Sequence, residues 1–126
     1  MGTRPELARS ELEIAHIVWR LKQATVREVL AQLPADRQLD FKTVQTYLRR
    51  LEAKRYLASR MEGRTRIYRA KVKPQTVMKD LVNDFVQRVF QGESLPLVQN
   101  LIQQGGMSSE EIQQLRQMLD ELEETS

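Results

Sequence analysis

Lys42, Thr43, Gln45, Thr46, Arg49 and Arg50 crowd into the segment FKTVQTYLRRLEAKR, and Arg64 and Arg66 follow in LASRMEGRTRIYRAKV. These residue types recognise duplex DNA. Arginine donates a fork of N–H groups to guanine O6 and N7, glutamine matches adenine N6 and N7, and threonine offers a hydroxyl together with a methyl for thymine. Thr43, Gln45, Thr46 and Arg49 therefore have the chemistry to read base edges. Arg50, Arg64 and Arg66 suit phosphate better, because contacts that position a protein on DNA outnumber those that read it.

Other chemistries find little support. The chain holds no cysteine and a single histidine, His16, so neither a disulfide framework nor a thiolate metal site is available, and one imidazole does not complete a zinc site. No metal and no cofactor are expected. Glu11, Glu13 and Glu28 stand near helix starts, where a carboxylate favours the dipole, so they make a poor acid/base dyad. With no nucleophile beside a base and no glycine-rich phosphate loop, a non-enzyme is expected.

The DNA-suited residues must be carried by regular elements, and apolar spacing predicts these. Asp40 can cap a helix on which Val44, Tyr47, Leu48 and Leu51 fall at i, i+3, i+4 and i+7, leaving the polar and basic positions outside. Two capping boxes precede it: Ser10 with Glu13 ahead of LEIAHIVWRLK, and Thr25 with Glu28 ahead of VREVLAQL, which Pro34 closes. The first helix has few polar positions and is expected to be largely buried, with His16 at its edge and Trp19, like Tyr47, in the core. After the third helix, Tyr68, Ala70 and Val72 alternate with Arg69 and Lys71, preceded by a turn at Glu62-Gly63; that pattern predicts a two-stranded hairpin. Three helices followed by a basic hairpin make a winged helix-turn-helix, mainly α with a small β wing, in which the third helix enters the major groove.

Charge divides the chain at Pro74. Residues 1–73 carry 17 Lys and Arg against 8 Asp and Glu, net +9, whereas residues 74–126 carry 3 against 9, net −6. A basic front and an acidic back imply two tasks, binding a polyanion and contacting another protein surface. The back portion reads as helical throughout. Met78, Leu81, Val82, Phe85, Val89 and Phe90 form a stripe that ends at Gly92; Leu95, Val98, Leu101 and Ile102 form another before Gly105-Gly106; and a Ser108/Glu111 capping box opens a helix with Ile112, Leu115, Leu119 and Leu122 in line. At 126 residues, the chain can bury roughly two-thirds of its unfolded surface but is short for two independent domains. The predicted organisation is thus a winged-helix domain over 1–73 and a helical dimerisation region over 74–126, its stripes covered by a twofold-related copy. Packing of the same helices back onto the winged helix is the alternative.

The order SELEIAHIVW, TVREVL, KTVQTYLRRLEAKRYL, GRTRIYRAKV, LVQNL and EEIQQLRQML, from Ser10 to Glu124, resembles the BlaI/MecI group of penicillinase repressors. The resemblance implies a homodimeric repressor on double-stranded DNA with a palindromic operator, linked to antibiotic resistance. It also implies inactivation by cleavage once a membrane sensor protease of the BlaR/MecR type detects a β-lactam. The matching bond here is Asn100-Leu101, where such relatives usually have Asn-Phe, and Pro96 stands just upstream. Many of those relatives have glycine after the recognition helix, where this chain has Arg55-Tyr56, and Gln45 replaces an often basic residue. The C-terminal cysteine cluster of the similar CopY copper repressors is absent.

A winged helix used only for protein contacts remains the second functional reading. No stretch approaches the roughly 20 apolar residues of a membrane span, and MGTRPELARS lacks the apolar core of a signal peptide. A cytoplasmic location is expected.

Overall fold

The computed structural model describes residues 4–125. The chain divides into two compact units at the Asp80–Leu81 bond. The first unit begins with α1 (Arg9–Leu21), β1 (Gln23–Ala24), α2 (Val26–Gln32) and α3 (Phe41–Ala53). It continues with β2 (Leu57–Glu62), β3 (Thr65–Ala70) and the start of α4 (Pro74–Phe90).

Caps set the helix starts. At α2, Thr25 Oγ1 accepts from the Glu28 N–H at 3.2 Å while Glu28 Oε1 accepts from the Thr25 N–H at 2.8 Å, the reciprocal box that the sequence predicts. At α3, Asp40 Oδ1 accepts from the Thr43 N–H at 2.8 Å, and this bond holds the Asp40 carboxyl below its ordinary value. The start of α1 departs from expectation. Ser10 already lies inside the helix, whose N-cap is Ala8, and the carboxylate reaching back is Glu11, accepting from the Ala8 N–H at 2.8 Å. Glu13 instead pairs with Arg37 at 2.7 Å.

Glu11 is selected by tertiary structure. It is 1% exposed and meets the Lys54 ammonium at 2.6 Å. Burial alone would push its carboxyl up, but the Lys54 ammonium and the Ala8 N–H together hold it below 4.5. A depressed folded value means that the group stabilises the fold above pH 4.5 and loses that contribution as pH falls through the folded pKa. Lys54→Met is expected to cost about 1 to 3 kcal/mol at neutral pH, a value reduced from that of a fully buried pair because Lys54 is half-exposed. The cost should shrink under acid, where a protonated Glu11 needs no cation; denaturant titrations at the two pH values check both halves.

α3 ends in a corner. The Tyr56 N–H donates to the Leu51 carbonyl at 2.9 Å and the Arg55 N–H to the Glu52 carbonyl at 3.0 Å. This is a Schellman closure, which places the residue after the cap in the left-handed region, and Arg55 sits there with φ 71°. Arg55→Gly is expected to raise stability by about 0.5 to 1 kcal/mol, because glycine enters that region without the Cβ clash. A higher melting temperature checks this; a lower one would mean that the Arg55 side-chain contacts outweigh the backbone cost. Tyr56 also accepts from the Lys71 N–H at 3.0 Å and donates its hydroxyl to the Pro5 carbonyl at 2.7 Å, so one residue joins the helix end, the wing and the N-terminal segment.

The sheet has three antiparallel strands in the order β1-β3-β2, one more than the hairpin expected. Gln23 and Ala24 pair with Arg69 and Tyr68. The hairpin turn is Gly63-Arg64, one residue later than expected, with Gly63 at φ 62°. Glycine at the first central position suits a tight two-residue turn. Val44, Leu48 and Leu51 of α3 meet Ile14, Val18, Val29, Leu57 and Tyr68 in the core, and Val77, on the first turn of α4, is 2% exposed. Arg4 reaches Asp80 at 2.9 Å.

The second unit comprises the rest of α4, then α5 (Ser94–Gln103) and α6 (Ser109–Thr125). The Ser108/Glu111 box forms as predicted, with bonds of 3.1 and 3.0 Å. No described residue from Leu81 to Thr125 is buried. Val82, Phe85, Val89, Leu95, Leu101, Leu119 and Leu122 are all exposed on the single chain, as is Met78 before them, while Leu81, Ile112 and Leu115 are half-buried. Among the described residues no helix is long and apolar enough to cross a membrane.

Candidate nucleic-acid interface

α3 buries Val44, Leu48 and Leu51, so its helical period turns Lys42, Thr46 and Arg49 outward. The neighbouring flank, with Phe41, Gln45 and Arg49, faces the wing across a cleft of about 400 Å³. Arg64 and Arg66 line the wing side, with Met61, Thr65 and Tyr68, and Arg27 of α2 joins from the third side. Of the eight candidates, the structure thus brings Gln45, Arg49, Arg64 and Arg66 into one cleft.

The other four are placed differently. Lys42 and Thr46 are exposed beside the cleft, and Thr46 Oγ1 donates to the Lys42 carbonyl at 3.0 Å. That bond occupies the one hydroxyl proton, so Thr46 presents lone pairs and its methyl outward. Thr43 is half-buried, its N–H held by Asp40. Arg50 turns to the opposite flank, its guanidinium 5.9 Å from the centre of the Tyr47 ring.

Register pairs Ser59 with Tyr68 and Met61 with Arg66, and Arg66, two residues from Tyr68 on β3, shares its face toward the cleft. Arg60 lies on the other face, where Glu62 neutralises it at 2.6 Å and Gln23 Oε1 accepts from it at 3.1 Å. Tyr68 is 1% exposed; burial first, and the Glu52 charge second, push its phenol up, so it stays protonated at neutral pH. The nearby Arg66 and Arg49 charges oppose that rise without cancelling it.

Sequence reasoning did not single out Arg27 or Phe41. The Arg27 guanidinium lies 5.4 Å from the centre of the exposed Phe41 ring, a cation–π contact at the mouth of the cleft. A signal existed in the basic residue at the second position of a capped helix next to the reading helix, but spacing alone does not bring Arg27 to Phe41. His16 is exposed, edge-on to Trp19 at 5.0 Å, and takes no part in the cleft.

Comparison with known proteins gives this geometry relatives. The chain is 29% identical over 117 residues to a penicillinase repressor of Bacillus licheniformis, covering 93% of this chain and 91% of that one. It is 24% identical to the methicillin resistance regulatory protein MecI of Mammaliicoccus sciuri, over 91% of this chain and 94% of that one. A solved structure of B. licheniformis BlaI, in its monomeric form in complex with the blaP half-operator, superposes with a TM-score of 0.50 at 29% identity, covering 60% of this chain and 92% of that one. The model of the penicillinase repressor family matches residues 7–121. With the winged-helix fold in place and that match running through both units, the chain belongs to the penicillinase repressor family.

Proposed function

We propose that this chain is a DNA-binding transcriptional repressor that works as a homodimer on a palindromic operator. The observation that carries the reading is the cleft in which Arg49 of α3 and Arg64 and Arg66 of the wing converge, base-reading and phosphate-gripping chemistry on adjoining elements. In this reading α3 lies in the major groove with Thr43, Gln45, Thr46 and Arg49 toward base edges. Lys42, Arg50, Arg64 and Arg66 hold phosphates. The exposed stripe of Met78, Val82, Phe85, Val89, Leu101, Leu119 and Leu122, with the half-buried Leu81, Ile112 and Leu115, becomes the dimer contact. The B. licheniformis complex with a half-operator supports the DNA partner. Release follows a cut at Asn100-Leu101 prompted by a membrane sensor protease of the BlaR/MecR type, and the repressor acts in the cytoplasm.

Salt-dependent binding to duplex DNA tests the reading. If each protomer holds about four phosphates, the dimer should show a log-log salt slope of about −7. Arg64→Ala should weaken binding to every duplex alike, and Arg49→Ala should cost roughly 1 to 3 kcal/mol on the selected site alone. A slope near zero would leave a protein-contact module as the better account.

A further inference from the structure

Glu52 is a carboxylate on the flank of α3 that faces the wing, one turn beyond Arg49. A negative charge beside a phosphate-binding surface opposes DNA on Coulombic grounds. Its contacts indicate what it does there. Glu52 Oε2 accepts from Ser59 Oγ at 2.6 Å, and Ser59 Oγ accepts from Arg66 Nη1 at 2.8 Å. A hydroxyl has one proton to give, and Glu52 takes it, so towards Arg66 the Ser59 oxygen can only accept. The relay therefore has a single direction, from guanidinium through hydroxyl to carboxylate, with a charge at each end that strengthens its bonds. Register adds to this, because Ser59 stands opposite the buried Tyr68, which fixes where the hydroxyl lies over the cleft.

We propose that Glu52, acting through Ser59, is a positioning residue that determines specificity: it locks Arg66 in one orientation relative to α3, so that the wing meets its phosphate only when α3 is seated in register. The inference rests on the DNA-binding reading above. A free arginine on its flexible stem finds a phosphate on any duplex and adds affinity without preference. An arginine held to the reading helix adds affinity only where that helix also fits. Glu52 thus lowers attraction to DNA in general and raises the preference for one sequence.

The test uses the full-length protein, a duplex selected with it from a random pool, and a scrambled duplex of equal length and composition. Affinity for both is measured for the wild type, Glu52→Gln, Ser59→Ala and Ser59→Thr, each with its melting curve. Ser59→Ala changes no charge, and it is expected to lower the selected-to-scrambled ratio about five- to tenfold, the effect of losing one charge-assisted hydrogen bond. Ser59→Thr keeps the hydroxyl and restores the ratio. Glu52→Gln should strengthen scrambled binding more than selected binding. If Ser59→Ala melts normally and keeps the wild-type ratio, or if Glu52→Gln strengthens both duplexes equally, the positioning role is overturned and Glu52 acts by charge alone. A wild type that selects no duplex at all overturns the DNA-binding reading, and this inference falls with it.

Discussion

A chain ended after Asp80 is expected to fold, to sediment as a monomer, and to bind a palindromic duplex about 10² to 10⁴ times more weakly than the full chain. The cut follows from where burial stops. Val77 is the last buried residue among those described, and Asp80 is held by Arg4, so ending the chain at Lys73 would strip part of the core. Beyond Asp80 every described residue is at least partly exposed, Leu95 and Leu122 at 65% each. Apolar area on this scale calls for a cover, and a second copy of the chain supplies one of equal length and matching stripe. Losing it turns one linked binding event at two half-sites into two separate ones. Sedimentation and a binding titration decide the matter. A truncated chain that remains dimeric puts the contact in the first unit, and one that keeps full affinity removes dimerisation from the mechanism.

Cutting the intact dimer at a specific protease site built in place of residues 99–102 is expected to lower operator affinity toward that of one half-site. Asn100 and Leu101 lie inside α5, which has ten residues. Either product of the cut is far shorter than the roughly 12 to 15 residues needed for even a marginal helix in water, so both should unwind. Leu95 and Val98 would then part from Leu101 and Ile102, and the stripe would lose its continuity. The helix start tolerates Pro96, which sits in the first turn where an N–H has no helical partner, and Asn100 Nδ2 donates to the Pro96 carbonyl at 3.3 Å. Unchanged affinity after complete cleavage would mean that α5 does not hold the dimer and that release works by another route.

The sequence made the reading helix legible because its signals are local. Asp40 caps α3, and Val44, Leu48 and Leu51 recur at its period and are all buried; the Thr25/Glu28 and Ser108/Glu111 boxes need only their own backbone. What escaped depends on residues far apart. Ser10 and Glu13 have the right spacing, but Glu11 gains Lys54 across 43 positions, and that partner draws the helix start back to Ala8. β1 has two residues, too few to show alternation, and exists because Tyr68 and Arg69 lie opposite. The wing turned on a single residue. Arg66 and Tyr68, two apart on β3, share a face in any register; with Gly63 opening the turn, Ser59 stands opposite Tyr68 and within reach of Arg66, whereas a turn at Glu62-Gly63 would have put Leu57 there instead. The cleft was half legible for the same reason. Gln45 and Arg49 follow from helical period, whereas Arg27 over Phe41 and the Glu52–Ser59–Arg66 relay need tertiary placement.

Tyr56 has a thermodynamic consequence. Its N–H, carbonyl and hydroxyl each fasten a different stretch of backbone, at Leu51, Lys71 and Pro5. A wing held this way at its root has little conformational freedom left to surrender when a ligand arrives, so the entropy of ordering was spent during folding. Calorimetry of duplex binding should then show a heat-capacity change close to that of the contact surface alone, without the larger drop that accompanies a segment folding on its target.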